Sequence, residues 1–165
     1  MSQIKQFQKE FEKEAITTRT MLSVVSNDKY DWQPHPKSMT IKQLTNHIAE
    51  LPLWIGLALI TSGLDFADNP YTPTSINDTK SLGAYFQKNL IKGREALAAG
   101  NEETLSELWT LQNGEEVCSK EPKSDIIRMT LNQITHHLAQ LGVFLRLLNV
   151  PIAASYGPSA DNMSF

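Results

Sequence analysis

Two segments of this chain carry histidines with the chemistry to form a site inside a folded protein. His47 stands in the segment LTNHIAE, and His136 and His137 are adjacent in ITHHLAQ. An imidazole binds metal ions and exchanges protons near neutral pH, so it serves either a metal site or acid–base catalysis. A single histidine at the border of a helix core is commonly a hydrogen-bonded structural residue. The prediction of a site therefore depends on whether the two positions converge.

The helical period predicts which of these side chains face inward. On the last long helix, His137 lies about 60° and Gln133 about 100° from the centre of the apolar stripe, whereas His136 lies about 160° away. His137 is therefore expected at the core and His136 in solvent. On the second helix, His47 lies about 100° from the centre of the stripe, on the same side as Glu50. Both helices thus place a histidine at the edge of the buried face, where a shared internal cleft is expected.

Four long segments with helical periodicity must position these residues, and no segment shows a convincing period of two. They run from about Gln3 to Val25, from Thr40 onward, from after Asp78 to Gly100, and from Ser124 to about Asn149. Thr40 and Gln43 form a capping-box pattern, and Pro52 predicts a kink in the second helix. Asn101 is expected to cap a short helical segment, EETLSELWTL, and the range Gln112–Lys123 leaves room for a hairpin.

These helices predict an all-α four-helix bundle with long connecting loops, in a single domain over residues 1–165. A chain of 165 residues is long enough to bury a core without disulfides or a structural metal. Sites in such bundles form between facing helices.

Composition narrows the classes of function. The net charge is −3 with acids and bases interspersed, so no nucleic-acid partner is expected. Cys118 is the only cysteine, which excludes an intrachain disulfide and a cysteine-based zinc site. The longest mainly apolar stretch, Leu51–Ile60, is about half of a membrane span, and the N-terminus lacks the apolar core of a signal peptide. A cytoplasmic protein without a membrane partner is therefore expected.

Several enzyme motifs are missing. Di-iron bundles need paired Glu-x-x-His motifs on facing helices, and the chain contains none. It also lacks the His-Glu-x-x-His motif of zinc proteases and the Gly-x-Ser-x-Gly elbow of serine hydrolases.

The whole set of segments resembles the DinB-like (DinB/YfiT) superfamily of bacterial helical proteins. The resemblance covers nearly the full length. It is carried by EAITTRTML, DWQPHPKSMT, LTNHIAELPLW, LNQITHHLAQLGVFLRLLNVP and YGPSADN.

The resemblance implies a bundle, often a homodimer, that holds a divalent metal (Zn²⁺ or Ni²⁺) on three interior histidines. Two of the ligand positions map onto His47 and His137. The third maps onto Gln133, whose neutral amide is a weak ligand, so metal affinity is expected to fall unless Glu50 or Asp161 completes the shell.

Two functions remain open from the sequence. The first is a metal-dependent enzyme of the hydrolase or thiol S-transferase type, acting on an unidentified small molecule, with a site weakened by Gln133 and with Glu50 as the catalytic proton shuttle. The alternative is a non-catalytic ligand-binding or interaction bundle that has lost its metal.

Overall fold

The architecture, taken from a computed structural model, is a bundle of four helical legs. The structure describes residues 2–163; Met1, Ser164 and Phe165, at the ends of the predicted domain, lie outside the described residues. The helices are α1 (Gln3–Ser23), α2 (Ile41–Glu50), α3 (Pro52–Ile60), α4 (Thr79–Ala99) and α5 (Lys123–Leu147). The helices α2 and α3 follow each other as one leg, and this leg and α1 each pack against both α4 and α5. The predicted four-helix bundle is confirmed.

The local signals in the sequence account for the leg that carries His47. The side chain of Thr40 accepts a hydrogen bond from the Gln43 amide at 3.2 Å, and the Gln43 side chain accepts one from the Thr40 amide at 2.9 Å. This confirms the capping box and fixes where α2 begins. Pro52 cannot donate a backbone hydrogen bond, and the predicted kink takes the form of a break at Leu51 between α2 and α3.

The mainly helical class is confirmed, and the chain adds a small three-stranded sheet that the all-α description did not include. Its strands are β1 (Gly63–Asp65), β2 (Leu108–Asn113) and β3 (Glu116–Pro122). The order is β1-β2-β3, with β1 parallel to β2 and β2 antiparallel to β3. Asn101 caps a 3₁₀ turn that ends at Ser106, so the predicted short helix stops before Trp109, which lies in β2. The hairpin anticipated near Gly114 is present and begins earlier than expected.

The core lies between the four legs and extends under the sheet. Its largest fully buried side chains are Phe7, Phe11, Leu22, Ile41, Leu44, Ile48, Ile55, Leu82, Leu90, Leu97, Trp109 and Ile127. Gly93 allows α4 to approach its neighbours closely, because an added Cβ would lie 2.8 Å from Phe11 Cζ and 2.8 Å from the Pro52 carbonyl oxygen. Within residues 2–163, no helix has the length and apolarity needed to cross a membrane.

Candidate functional site

The imidazoles of His47 and His137 meet between α2 and α5. Their ring centroids are 4.9 Å apart and the planes are inclined by 77°. His137 is 9% exposed and His47 is half-buried. His136 is exposed, and its ring centroid lies 5.0 Å from that of His137. The inward direction of His137, the outward direction of His136 and the convergence of the two helices are as predicted.

Two glutamines on α5 surround the His137 ring. The amide oxygen of Gln133 lies 2.9 Å from Nε2, and that of Gln140 lies 2.8 Å from Nδ1. Residues three and four positions apart share one face of a helix, which is why both amides reach the same ring. Both ring nitrogens of His137 therefore lie within hydrogen-bond distance of an amide on their own helix, and a neutral ring donates to one of these two oxygens.

On its other side, His47 lines a cleft of about 720 Å³. Burial lowers the pKa of His47 below its ordinary value of 6.5, and electrostatic repulsion from His137 lowers it further by a smaller amount. Both causes disfavour a positive charge on the ring. His47 thus presents a neutral imidazole, with one nitrogen able to accept a proton, to whatever occupies the cleft.

Glu50 lies one helical turn beyond His47 and lines the same cleft. Its side chain is buried at 8% exposure. Burial raises the pKa of the Glu50 carboxyl, while hydrogen bonds from Tyr71 and Trp54 oppose that rise. The Tyr71 hydroxyl donates to Oε2 of Glu50 at 3.2 Å, and burial together with this carboxylate raises the pKa of Tyr71 to about 12. Tyr71 therefore stays protonated and acts as a donor.

The opposite wall of the cleft comes from the long segment between β1 and α4. Asn46, buried on α2, anchors this segment by donating from Nδ2 to the Ile76 carbonyl at 2.8 Å and accepting from the Ile76 amide at 2.9 Å. The anchored segment brings Phe66 and Tyr71 to the cleft. Sequence reasoning missed Asn46 and Tyr71. A buried polar residue beside His47 was a signal for the first, but nothing in the loop marked the second.

The described part of the C-terminal tail, residues 150–163, places no carboxylate on the histidine pair. Asp161 forms an ion pair with Arg146 and accepts a hydrogen bond from the Ile152 amide at 2.9 Å. The Tyr156 hydroxyl donates to Oε2 of buried Glu14 at 2.6 Å, on α1. The suggestion that Asp161 completes a metal shell is therefore wrong.

The donor set does not fit a tightly held divalent ion. Zinc sites generally use three or four imidazole, thiolate or carboxylate ligands. Across residues 2–163, no three His, Cys, Asp or Glu side chains are grouped closely enough to hold a metal. His47 and His137 are two strong donors, and the third candidate, Gln133, offers a neutral amide that is bonded to His137. The assignment of these three residues as metal ligands stays a prediction.

The comparisons with known proteins agree with this architecture. The sequence profile of the DinB family matches residues 1–164. The chain belongs to the DinB family. No curated protein sequence matches it.

Solved structures related to this DinB-family chain share its fold at low sequence identity. A DinB-like protein from Bacillus cereus is 20% identical with a TM-score of 0.70, covering 93% of this chain and 99% of its own. YfiT from Bacillus subtilis is described as a probable metal-dependent hydrolase with an unusual four-helix bundle topology. It is 13% identical with a TM-score of 0.63, and the match covers 90% of this chain and 89% of YfiT. The mycothiol-dependent maleylpyruvate isomerase is 15% identical with a TM-score of 0.58, covering 84% of this chain and 60% of its own. The structural similarity establishes the shared fold, whereas the low sequence identities do not establish a shared reaction.

Proposed function

We propose that this DinB-family protein binds a small organic molecule in the cleft beside α2 and catalyses proton transfer on it with His47 and Glu50. The observation that carries the proposal is that these two side chains, three residues apart on one helix, line the same cleft. Burial moves the pKa of His47 down and that of Glu50 up. His47 is therefore a neutral base near neutral pH, and burial favours the protonated, proton-donating form of Glu50 more than it would be favoured in an exposed glutamate.

The roles follow from the protonation states. His47 accepts a proton from the attacking group of the ligand, such as a hydroxyl, a thiol or a bound water. Glu50 donates its proton to the atom that leaves, and the carboxylate formed is stabilised by the hydrogen bond from Tyr71. The two transfers balance, because one proton is taken and one is given. Hydrolysis and thiol transfer, the reaction types expected from the sequence, both use this pair.

A second candidate is a binding bundle without catalysis. It is favoured by the position of Gln133, since each His137 nitrogen lies within hydrogen-bond distance of a glutamine amide on its own helix, and these amides compete with an ion or a substrate. In that case the cleft holds its ligand and His47 and Glu50 only contribute contacts.

The test uses protein treated with EDTA and two reporter reactions whose leaving group, phenolate, needs a proton: hydrolysis of phenyl acetate and transfer of its acetyl group to glutathione. We expect turnover of at least one, with a loss of about 10²-fold in His47→Gln and Glu50→Gln, because positioned acids and bases contribute factors of that order. His136→Gln is the matched control, since His136 is exposed and does not line the cleft. Turnover that requires added Zn²⁺ or Ni²⁺ would instead establish metal-dependent chemistry. Binding in the cleft without turnover would favour the second candidate.

A further inference from the structure

The carboxyl of Glu50 is buried without a cation from the protein. In the described part of the chain, no Lys, Arg or His nitrogen lies within ion-pairing distance of it, and its partners are the Tyr71 hydroxyl at 3.2 Å and Trp54. Glutamates are rarely buried unless they are paired, because removing the charge from water is costly. A buried carboxyl that faces an open cleft is therefore ready to pair with a cation carried by a ligand.

The side chains around Glu50 favour a particular cation. Trp54, Phe66 and Tyr71 line the same cleft, and Trp54 is held in an edge-to-face contact with Trp109 at 6.4 Å. Aromatic rings attract ammonium groups, tryptophan most strongly, and the attraction grows when the site is shielded from water. A carboxylate together with aromatic side chains recognises an organic ammonium group better than it recognises an alcohol or an acid.

The positive charges that line the cleft do not form an ion pair with Glu50. Lys42 forms an ion pair with Asp31 at 3.0 Å, and Lys37 belongs to the loop before α2. Both residues line the cleft, yet neither reaches the Glu50 carboxylate. An amine that seats at Glu50 therefore meets no competing ammonium group of the protein there.

We infer that the ligand of this cleft is an organic amine whose nitrogen seats against Glu50 among Trp54, Phe66 and Tyr71. The inference rests on the proposed function, since it names the ligand class of the same cleft. In the proposed reaction the amine is the leaving group: the bond from its nitrogen to the transferred carbon breaks as the attacking group bonds that carbon, and the proton that Glu50 gives up goes to the nitrogen. The released amine takes a further proton from water near neutral pH, which gives an ammonium–carboxylate pair at Glu50. A free aliphatic amine, already protonated at that pH, binds as the same pair.

The experiment compares three ligands of similar size: 2-phenylethylamine, 2-phenylethanol and phenylacetate. Dissociation constants are measured by NMR titration, following the ring signals of His47 as the reporter of the cleft. In the wild type we expect the amine to bind at least about tenfold more tightly than the alcohol, since hydrogen bonds to charged groups exceed neutral ones by that order. Phenylacetate is expected to bind more weakly than both.

Two variants test whether Glu50 is the residue that causes the preference for the amine. Glu50→Gln keeps the shape and removes the charge, so the amine is expected to lose its advantage while 2-phenylethanol binds within about threefold of the wild type. Glu14→Gln is the matched control, because Glu14 is equally buried and also receives a tyrosine hydroxyl, but it does not line this cleft. It is expected to retain the full preference. Urea unfolding of both variants checks that they fold.

The outcomes separate this inference from the proposed function. If the alcohol or the acid binds as well as the amine while shifting the His47 signals, the amine inference fails and the cleft remains a ligand site. A preference for the amine that survives Glu50→Gln, or is lost equally in Glu14→Gln, also overturns it. If none of the three ligands perturbs His47, both the inference and the proposed function fall.

Discussion

Replacing Gln133 by histidine should convert the histidine pair into a metal site. The Gln133 amide oxygen already lies 2.9 Å from Nε2 of His137, and the two residues are four positions apart on one helix face. Two histidines at this spacing are an established metal-binding arrangement. With His47 in ring contact with His137, the variant would present three imidazoles from two helices.

The size of the effect follows from the number of strong ligands. The free energy of Zn²⁺ binding at four-ligand sites in small peptides is roughly 10–16 kcal/mol, which corresponds to about 2.5–4 kcal/mol for each ligand. With two imidazoles, the wild type is expected to bind Zn²⁺ with a Kd between roughly 1 µM and 0.2 mM. A third imidazole should tighten this by roughly 10²- to 10³-fold.

Isothermal titration of Zn²⁺ and Ni²⁺ into the wild type and Gln133→His measures this difference directly. The double variant Gln133→His/His47→Gln is the control, and it should return to the affinity of the wild type because one imidazole is gained and another lost. Two results would contradict this expectation. One is a wild type that already binds as tightly as Gln133→His, and the other is a gain that survives the loss of His47.

Three further predictions concern stability and are checked by urea unfolding. Because burial raises the pKa of Glu50, its contribution to stability is lost as the pH rises above the ordinary value of 4.5. Glu50→Gln should therefore raise the free energy of unfolding more at pH 7.5 than at pH 4, and an equal effect at both would contradict this. Gly93→Ala should destabilise by about 1–3 kcal/mol, because the new Cβ would lie 2.8 Å from Phe11. Gly83→Ala, in the same helix with nothing within 4 Å, should instead stabilise by up to about 1 kcal/mol. Thr40→Ala removes the cap of α2 and should cost about 1 kcal/mol; no loss would mean that the capping box contributes nothing.

The parts of the site that lie on long helices could be predicted from the sequence. The period of 3.6 residues is fixed by backbone geometry, so the direction of one side chain relative to the apolar stripe follows from counting. This is why His137 could be separated from its neighbour His136. It is also why Glu50 could be placed beside His47 before their surroundings were known.

The parts that depend on contacts between distant segments could not be predicted. The strand β1 pairs in parallel with the distant β2, so that Leu64 lies opposite Leu111. The strand β3 is largely exposed. These strands therefore show no clean alternation of apolar and polar residues in the sequence. Tyr71 reaches the cleft because Asn46 holds the backbone of Ile76, a contact across thirty positions. A loop position set in this way leaves no periodic pattern in the sequence.

His47 cannot be a metal ligand and the general base of the proposed reaction at the same time. A neutral imidazole has a single lone pair, and a nitrogen that binds a metal ion cannot also accept a proton. With an amide at position 133, that lone pair is available to the cleft. Gln133→His loaded with Zn²⁺ should therefore lose the EDTA-resistant activity that depends on His47, and removing the ion from the same variant should restore it. Activity that is unchanged by the bound ion would mean that His47 is not the base.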